Sequence, residues 1–288
     1  MKYRITRPNK KIRHHKPRIP RKRRPLPRVM IPSFFTLMNL FCGFVAIIQI
    51  YKGNLVPGSW LIVFAGLFDA LDGLMARLTN ATSAFGIELD SLSDIVSFGV
   101  APGFLVFRFG VESLSTAGII IAALPALCGA IRLARFNVET RELKLDHFRG
   151  LPIPAQATML VAFYLTFNDD LYLFDHFKYG VNNVLVPMVI LLSLLMVSTV
   201  PFDKIPRFSR HYIRQNRGKI LLFVGYLIAI ILFREYGLMA VFTVFIGKGL
   251  VMAAIRFSHD VMNNGGGDEG EEEIVIIDDY LDEHRYRR

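Results

Sequence analysis

The sequence has 288 residues, of which 52% are hydrophobic and 20% are charged, and its formal net charge is +10. A chain that gathers this much apolar character into long runs is not an ordinary soluble domain. The two cysteines, Cys42 and Cys128, lie in separate apolar runs, so the sequence predicts no disulfide.

The apolar residues fall into eight windows along the chain. A helix needs about 20 mostly apolar residues to cross the hydrocarbon core of a bilayer, and each window reaches or approaches that length. The windows are residues 34–51, 58–78, 86–108, 117–136, 151–168, 184–202, 219–233 and 237–256. They predict an all-α fold, a polytopic membrane helix bundle.

The basic residues of the connections indicate how this bundle is oriented. Lys and Arg accumulate on the cytoplasmic side of membrane proteins, and here they are concentrated in alternate connections. The basic connections are residues 1–28, 137–150 and 201–219. We therefore expect both termini on the cytoplasmic side, with the connection between the second and third windows on the same side.

The two ends of the chain differ from the windows in composition. Residues 1–30 are rich in Pro, Lys and Arg, without the aromatic residues of a nucleic-acid module, so we expect them to lie against anionic lipid head groups and expect no nucleic-acid partner. Residues 258–288 begin with a Gly/Asn run and become acidic. Both tails are predicted to be disordered and cytoplasmic, and residues 203–218 to form a basic cytoplasmic loop.

Four aspartates interrupt the second and third windows. Asp69 and Asp72 are three residues apart, and Asp90 and Asp94 are four apart, so each pair shares one face of its helix. If the two helices form an antiparallel hairpin, Asp72 faces Asp90 and Asp69 faces Asp94. All four carboxylates then meet at one level of the bundle.

The same register predicts the cytoplasmic end of the hairpin. Ala76 falls opposite Gly86, a contact between small residues that would let the two helix backbones approach closely. Ser83 or Thr82 is expected to cap the second helix of the pair.

Carboxylates held together in a low-dielectric site cannot all remain ionised without a compensating cation. Arg77 lies on the same helix, but one guanidinium does not balance four acids. An all-oxygen ligand set favours Mg²⁺ or Mn²⁺, with two ions sharing carboxylates, over zinc, while Ca²⁺ stays open on this chemistry. Two other interpretations also stay open: an ion pathway in an ion-coupled transporter, and a structural polar cluster, which is costly because it buries unpaired charge.

Glycines beside the acids favour a bound ligand. Gly73 and Gly86 weaken their helices, which indicates close approach of a bulky ligand, and Arg77 is suited to binding a phosphate. The run Asp69-x2-Asp72-Gly73-x2-Ala76-Arg77-x8-Gly86-x3-Asp90-x3-Asp94 resembles, at each of its eight specified positions, the signature of the CDP-alcohol phosphatidyltransferase family.

The resemblance implies a dimer with six core membrane helices, which transfers a phosphatidyl group from a CDP-linked lipid to an alcohol and releases CMP. It implies that the metal ligands are Asp69, Asp72, Asp90 and Asp94. Asp94 is then either the general base or a ligand only. The residues implied to bind the CDP group are Gly73, Ala76, Arg77 and Gly86.

Residues 31–44, 132–137 and 150–157 are similar to the membrane-bound branch of this family that uses serine as the acceptor alcohol. This resemblance implies CDP-diacylglycerol and L-serine as substrates, in a bacterial cytoplasmic membrane. Residues 31–202 would form the six-helix catalytic core, and residues 219–257 would form two additional transmembrane helices. Glycerol 3-phosphate or inositol phosphate is the alternative acceptor.

Serine also carries a carboxylate, which calls for a cation with fork geometry. Arg132 and Arg135, followed by Asn137, are the predicted binders of serine or of a lipid phosphate. The alternative is that both arginines are ordinary positive-inside residues that snorkel to the interface. Thr36 and Asn39 share one face of the first helix and are expected either to touch the nucleotide or to hydrogen-bond between helices.

Overall fold

The computed structural model describes residues 27–79, 83–142, 150–174, 176–200 and 217–264. These residues form helices and their connections and contain no strand, which confirms the all-α prediction. Residues 203–216 of the predicted loop and most of both predicted tails lie outside the described residues, while residues 217 and 218 are helical. Helix extends into both segments that were predicted to be disordered tails, because the first helix begins at Pro27 and the last ends at Asn264.

Eight α-helices follow one another along the described chain. They are α1 (Pro27–Tyr51), α2 (Leu55–Leu78), α3 (Ala84–Asp94), α4 (Ala101–Phe109), α5 (Ser115–Glu142), α6 (Ile153–Phe167), α7 (Asn182–Val197) and α8 (Arg217–Asn264). A π-helix, Ile95–Val100, joins α3 to α4, so that helix runs without interruption from Ala84 to Phe109. Most of each of the eight apolar windows falls on helix.

The ends of three helices have local causes. Ser83, one of the two residues predicted to cap this helix, caps α3: its Oγ accepts a hydrogen bond from the Gly86 backbone N–H at 3.0 Å. Gly150 precedes α6 with φ +83°, a conformation that side chains disfavour. The last two apolar windows are halves of α8, which breaks at Arg234 (φ 46°, ψ −117°), between the predicted helices.

Within the described part of the chain, four segments are long and apolar enough to cross a membrane: Pro32–Tyr51, Ala84–Phe109, Val111–Val138 and Leu232–Ile255. Two shorter apolar helices, Ile153–Phe167 and Asn182–Val197, accompany them. The chain is therefore a multi-pass membrane protein. The division into six core helices and two additional ones stays a prediction.

Helix α1 is central to the position of the site. It packs along α2 and also contacts α3, the π-helix and α4. Helices α5 and α6 cover the π-helix from the other side, and α8 packs mainly against α6. The side chains that α2 and α3 present to α1 are thereby enclosed within the bundle.

Candidate active site

Three carboxyl groups converge between α2 and α3. Asp69, Asp72 and Asp90 each offer an oxygen, and these oxygens all lie within 4.8 Å of one another. Asp72 is 6% exposed, and its carboxyl interacts directly with that of Asp90. The predicted register of these two aspartates is therefore confirmed.

The donor atoms of this cluster fit a hard divalent cation. Oδ2 of Asp72 and Oδ1 of Asp90 are buried and have no hydrogen-bond partner among the described residues. A buried carboxylate oxygen without a donor or a cation is strongly destabilising. Three oxygens at this spacing match the small radius and oxygen preference of Mg²⁺ or Mn²⁺, so the cluster could bind a metal ion.

Asp94 lies beside this cluster and outside its tight group of oxygens. It is 7% exposed, and electrostatic interactions connect it to Asp69 and Asp90. Its Oδ1 accepts a hydrogen bond from Nδ2 of Asn39 at 3.1 Å. The structure thus brings three of the four predicted ligands into one group, with the fourth bound by a neutral amide.

The polar face of α1 lines the carboxyl cluster. Asn39 is 0% exposed and Thr36 is 3% exposed. The Thr36 side chain interacts with Asp72, and its hydroxyl donates to the backbone oxygen of Pro32 at 3.2 Å. Hydrogen bonding between helices, one of the two roles expected for this face, is confirmed for Asn39. The sequence pattern did not indicate which acid each residue contacts.

The π-helix follows directly after Asp94. Oγ of Ser97 donates to the backbone oxygen of Asn39 at 3.0 Å, and a Cβ atom on Gly43 would collide with Ser97. Glycine therefore permits α1 to approach the π-helix closely at this level. π-Helical turns within α-helices are frequent at functional sites.

The glycines of the signature border open space. A Cβ atom added to Gly73 would meet nothing within 4 Å, and one added to Gly86 would meet only Ser83, the cap of its own helix. The predicted contact between Ala76 and Gly86 is therefore wrong. Among the described residues α2 and α3 pack against α1 rather than along each other.

Arg77 is exposed in the last turn of α2. Its Nε donates to the Gly73 backbone oxygen at 2.9 Å, along its own helix. Ala76 is half-buried one residue earlier.

The predicted serine-binding residues separate into two kinds. Arg132 is 5% exposed, its Nε has no partner in the described part of the chain, and it interacts electrostatically with Asp94. Arg135 instead donates to the backbone oxygens of Val197 (2.9 Å) and Ser198 (3.2 Å) at the end of α7.

Asn137 connects α5 to α3. Its Nδ2 donates to Oγ of Ser91 at 3.0 Å, one residue after Asp90. This contact favours a role in holding α3 in place.

Comparison with known proteins places this arrangement in a family. The family model described as CDP-alcohol phosphatidyltransferase matches residues 29–200, which include every residue of the acidic signature. A Helicobacter pylori protein named CDP-diacylglycerol–serine O-phosphatidyltransferase is 34% identical over 232 residues, or 80% of this chain and 92% of that protein.

Two further relatives carry the same name. The protein from Methanocaldococcus jannaschii is 39% identical over 178 residues, which cover 62% of this chain and 76% of that protein. The protein from Bacillus subtilis is 37% identical over 182 residues, which cover 63% of this chain and 92% of that protein. With a family match across more than half of its length and an acidic signature whose carboxyl groups converge, this chain belongs to the CDP-alcohol phosphatidyltransferase family.

Proposed function

We propose that this chain transfers the phosphatidyl group of CDP-diacylglycerol to the hydroxyl group of L-serine and releases CMP. The observation that carries the proposal is the convergence of Asp69, Asp72 and Asp90 inside a membrane protein of this family. The choice of serine is supported by the names of the relatives.

Asp69, Asp72 and Asp90 would hold Mg²⁺ or Mn²⁺, and Asp94 would complete a site for two ions. Two divalent cations match the charge of four carboxylates, which supports this number. When bound, the metal supplies positive charge that binds the pyrophosphate and stabilises the CMP leaving group. The carboxylates would hold it between α2 and α3.

Asp94 would act as the general base. The serine hydroxyl oxygen forms a bond to the phosphorus that carries diacylglycerol, the bond from that phosphorus to the CMP oxygen breaks, and the hydroxyl proton passes to Asp94. Its position beside the tight cluster, with one oxygen bonded to an amide, supports this role. The competing role is that of a metal ligand only.

The CDP group would occupy the open space beside Gly73 and Gly86. Neither glycine has a neighbour from the opposite helix in the place that a side chain would take, so a nucleotide can approach both backbones. Ala76 would leave room on the same side, and Arg77 would contact a phosphate.

Arg132 would bind the serine carboxylate. It is buried, it lies near Asp94, and a guanidinium can bind a carboxylate through two parallel hydrogen bonds. The contacts of Arg135 and Asn137 support structural roles for these two residues, at the end of α7 and between α5 and α3.

The membrane arrangement completes the proposal. Residues 31–202 would form the catalytic core with six helices, a division that the family match to 29–200 supports, and residues 219–257 would add two helices. The basic connections support a cytoplasmic active site and cytoplasmic termini in the inner membrane. The chain would work as a homodimer, as the family resemblance implies.

The decisive experiment is an acceptor screen with purified protein in detergent. With Mn²⁺ or Mg²⁺ and CDP-diacylglycerol, we expect CMP release only when an acceptor is present and labelled phospholipid only from labelled serine. Label from glycerol 3-phosphate or inositol phosphate in place of serine would overturn the acceptor assignment. No CMP release with any of the three would overturn the whole proposal.

A further inference from the structure

Asn39 binds Asp94 from the buried face of α1. The Asn39 side chain is 0% exposed, and its Nδ2 donates to Oδ1 of Asp94 at 3.1 Å. An ionised carboxylate accepts hydrogen bonds and donates none, so the amide nitrogen of Asn39 is the atom that suits this contact. The sequence alone placed Asn39 on the site face without a partner.

The backbone of Asn39 is held by the same helix that carries Asp94. Ser97, three residues after Asp94, donates its hydroxyl to the Asn39 backbone oxygen at 3.0 Å. Gly43, one turn further along α1, lies directly against Ser97. Asn39 is therefore bonded at its side chain and at its backbone to one short segment around the start of the π-helix.

We propose that Asn39 is a positioning residue that engages Oδ1 of Asp94 and so presents the other oxygen, Oδ2, to the hydroxyl of the acceptor alcohol. The inference rests on the proposed function, in which Asp94 takes the hydroxyl proton. A carboxyl group rotates over a broad range about its last torsion, and a hydrogen bond to one oxygen restricts that rotation. Orientation of a reactive group by a neighbouring hydrogen bond is a general way to keep it in productive geometry.

The test compares three variants of the full-length protein in the serine-dependent assay: Asn39→Leu, Asp94→Ala and Cys42→Ala. Leucine has the same number of side-chain heavy atoms as asparagine, branched at the same carbon, and cannot donate a hydrogen bond. We expect Asn39→Leu to lower kcat by about 10- to 100-fold, since small misplacements of catalytic groups cost up to about 100-fold. The KM values for serine and CDP-diacylglycerol should stay within about 3-fold, because neither substrate depends on Asn39 for binding.

Cys42→Ala is the matched control. Cys42 lies on the same buried face of α1, about one turn beyond Asn39, and is 9% exposed. Loss of packing there should leave kcat within about 2-fold of the parent. A loss of kcat in this control equal to that of Asn39→Leu would mean that α1 packing alone is responsible, and it would overturn the inference.

The remaining outcomes separate the two proposals. If Asp94→Ala abolishes turnover while Asn39→Leu retains the parent kcat, the positioning role is refuted and the proposed function stands. If Asp94→Ala retains the parent kcat, the base role of Asp94 fails, and the inference fails with it. A rise in both KM values without a fall in kcat would assign Asn39 to substrate binding and would likewise overturn the positioning role.

Discussion

Replacing Asp72 with asparagine should change the stability of the protein in opposite directions with and without metal. In the absence of divalent cations, Asp72 lies within 4.8 Å of oxygens from Asp69 and Asp90. At an effective dielectric constant of about 20, two unit charges at that distance repel each other by about 3 kcal/mol. The substitution removes the charge of Asp72 at nearly constant volume.

Without metal, Asp72→Asn is expected to raise the free energy of unfolding by about 1–3 kcal/mol. This is less than the sum of the repulsion energies with Asp69 and Asp90, because buried charge clusters relax and exchange protons. With Mn²⁺ the variant should instead be less stable than the parent protein. A ligand at 100 times its dissociation constant stabilises the folded state by about 2.7 kcal/mol, and the variant has lost one of the oxygens that bind it.

The measurement is thermal unfolding of the purified protein in detergent, with a chelator and then with increasing Mn²⁺. We expect the variant to unfold at a higher temperature than the parent with the chelator and at a lower one with saturating Mn²⁺. Asp169→Asn is the matched control, since Asp169 is exposed in the connection after α6, and it should follow the parent in both conditions. A lower melting temperature for Asp72→Asn with the chelator, or an unchanged Mn²⁺-dependent shift, would refute the metal-site reasoning.

Three further predictions concern residues around the cluster. Arg132→Ala should raise KM for serine by about 10- to 100-fold and change KM for CDP-diacylglycerol little, because a charge-assisted bidentate contact is lost; equal rises in both constants would contradict this. Arg135→Ala should instead lower the free energy of unfolding by about 1–3 kcal/mol, measured by thermal or denaturant unfolding, since two backbone oxygens at the end of α7 lose their donor. Gly73→Ala should fold as well as the parent, because the added Cβ meets nothing within 4 Å, but it should raise KM for CDP-diacylglycerol. Gly103→Ala is the contrasting variant, since its Cβ would collide with the Ala122 backbone oxygen, and its melting temperature should fall.

Much of the fold and the centre of the site could be predicted from the sequence. The length of the apolar windows predicted the helices. A segment inside a bilayer must form all its backbone hydrogen bonds without water, and a helix is one of the few structures that does so. The spacing of the aspartates predicted that Asp72 would meet Asp90, because side chains on one helix face keep their register against a neighbouring helix. These predictions depend on local periodicity alone.

The parts that could not be predicted depend on contacts between distant segments. The Ala76–Gly86 contact was wrong because register arithmetic assumes that two helices pack along their whole length, whereas α2 and α3 both pack on α1. The π-helix lies where Ser97 reaches the Asn39 backbone, a contact between segments 58 residues apart. Arg135 donates to backbone oxygens at the end of α7, and that end lies five residues before the end of the apolar window that predicted the helix.

The docking of α8 bears on the order in which the chain assembles. This helix pair packs mainly against α6, with the Thr166 hydroxyl donating to the Glu235 backbone oxygen at 3.4 Å near the break. Every aspartate of the cluster and the α1 face that contacts it belong to segments synthesised earlier. A nascent chain can therefore bring its four acids together in the bilayer while its last quarter is still being translated.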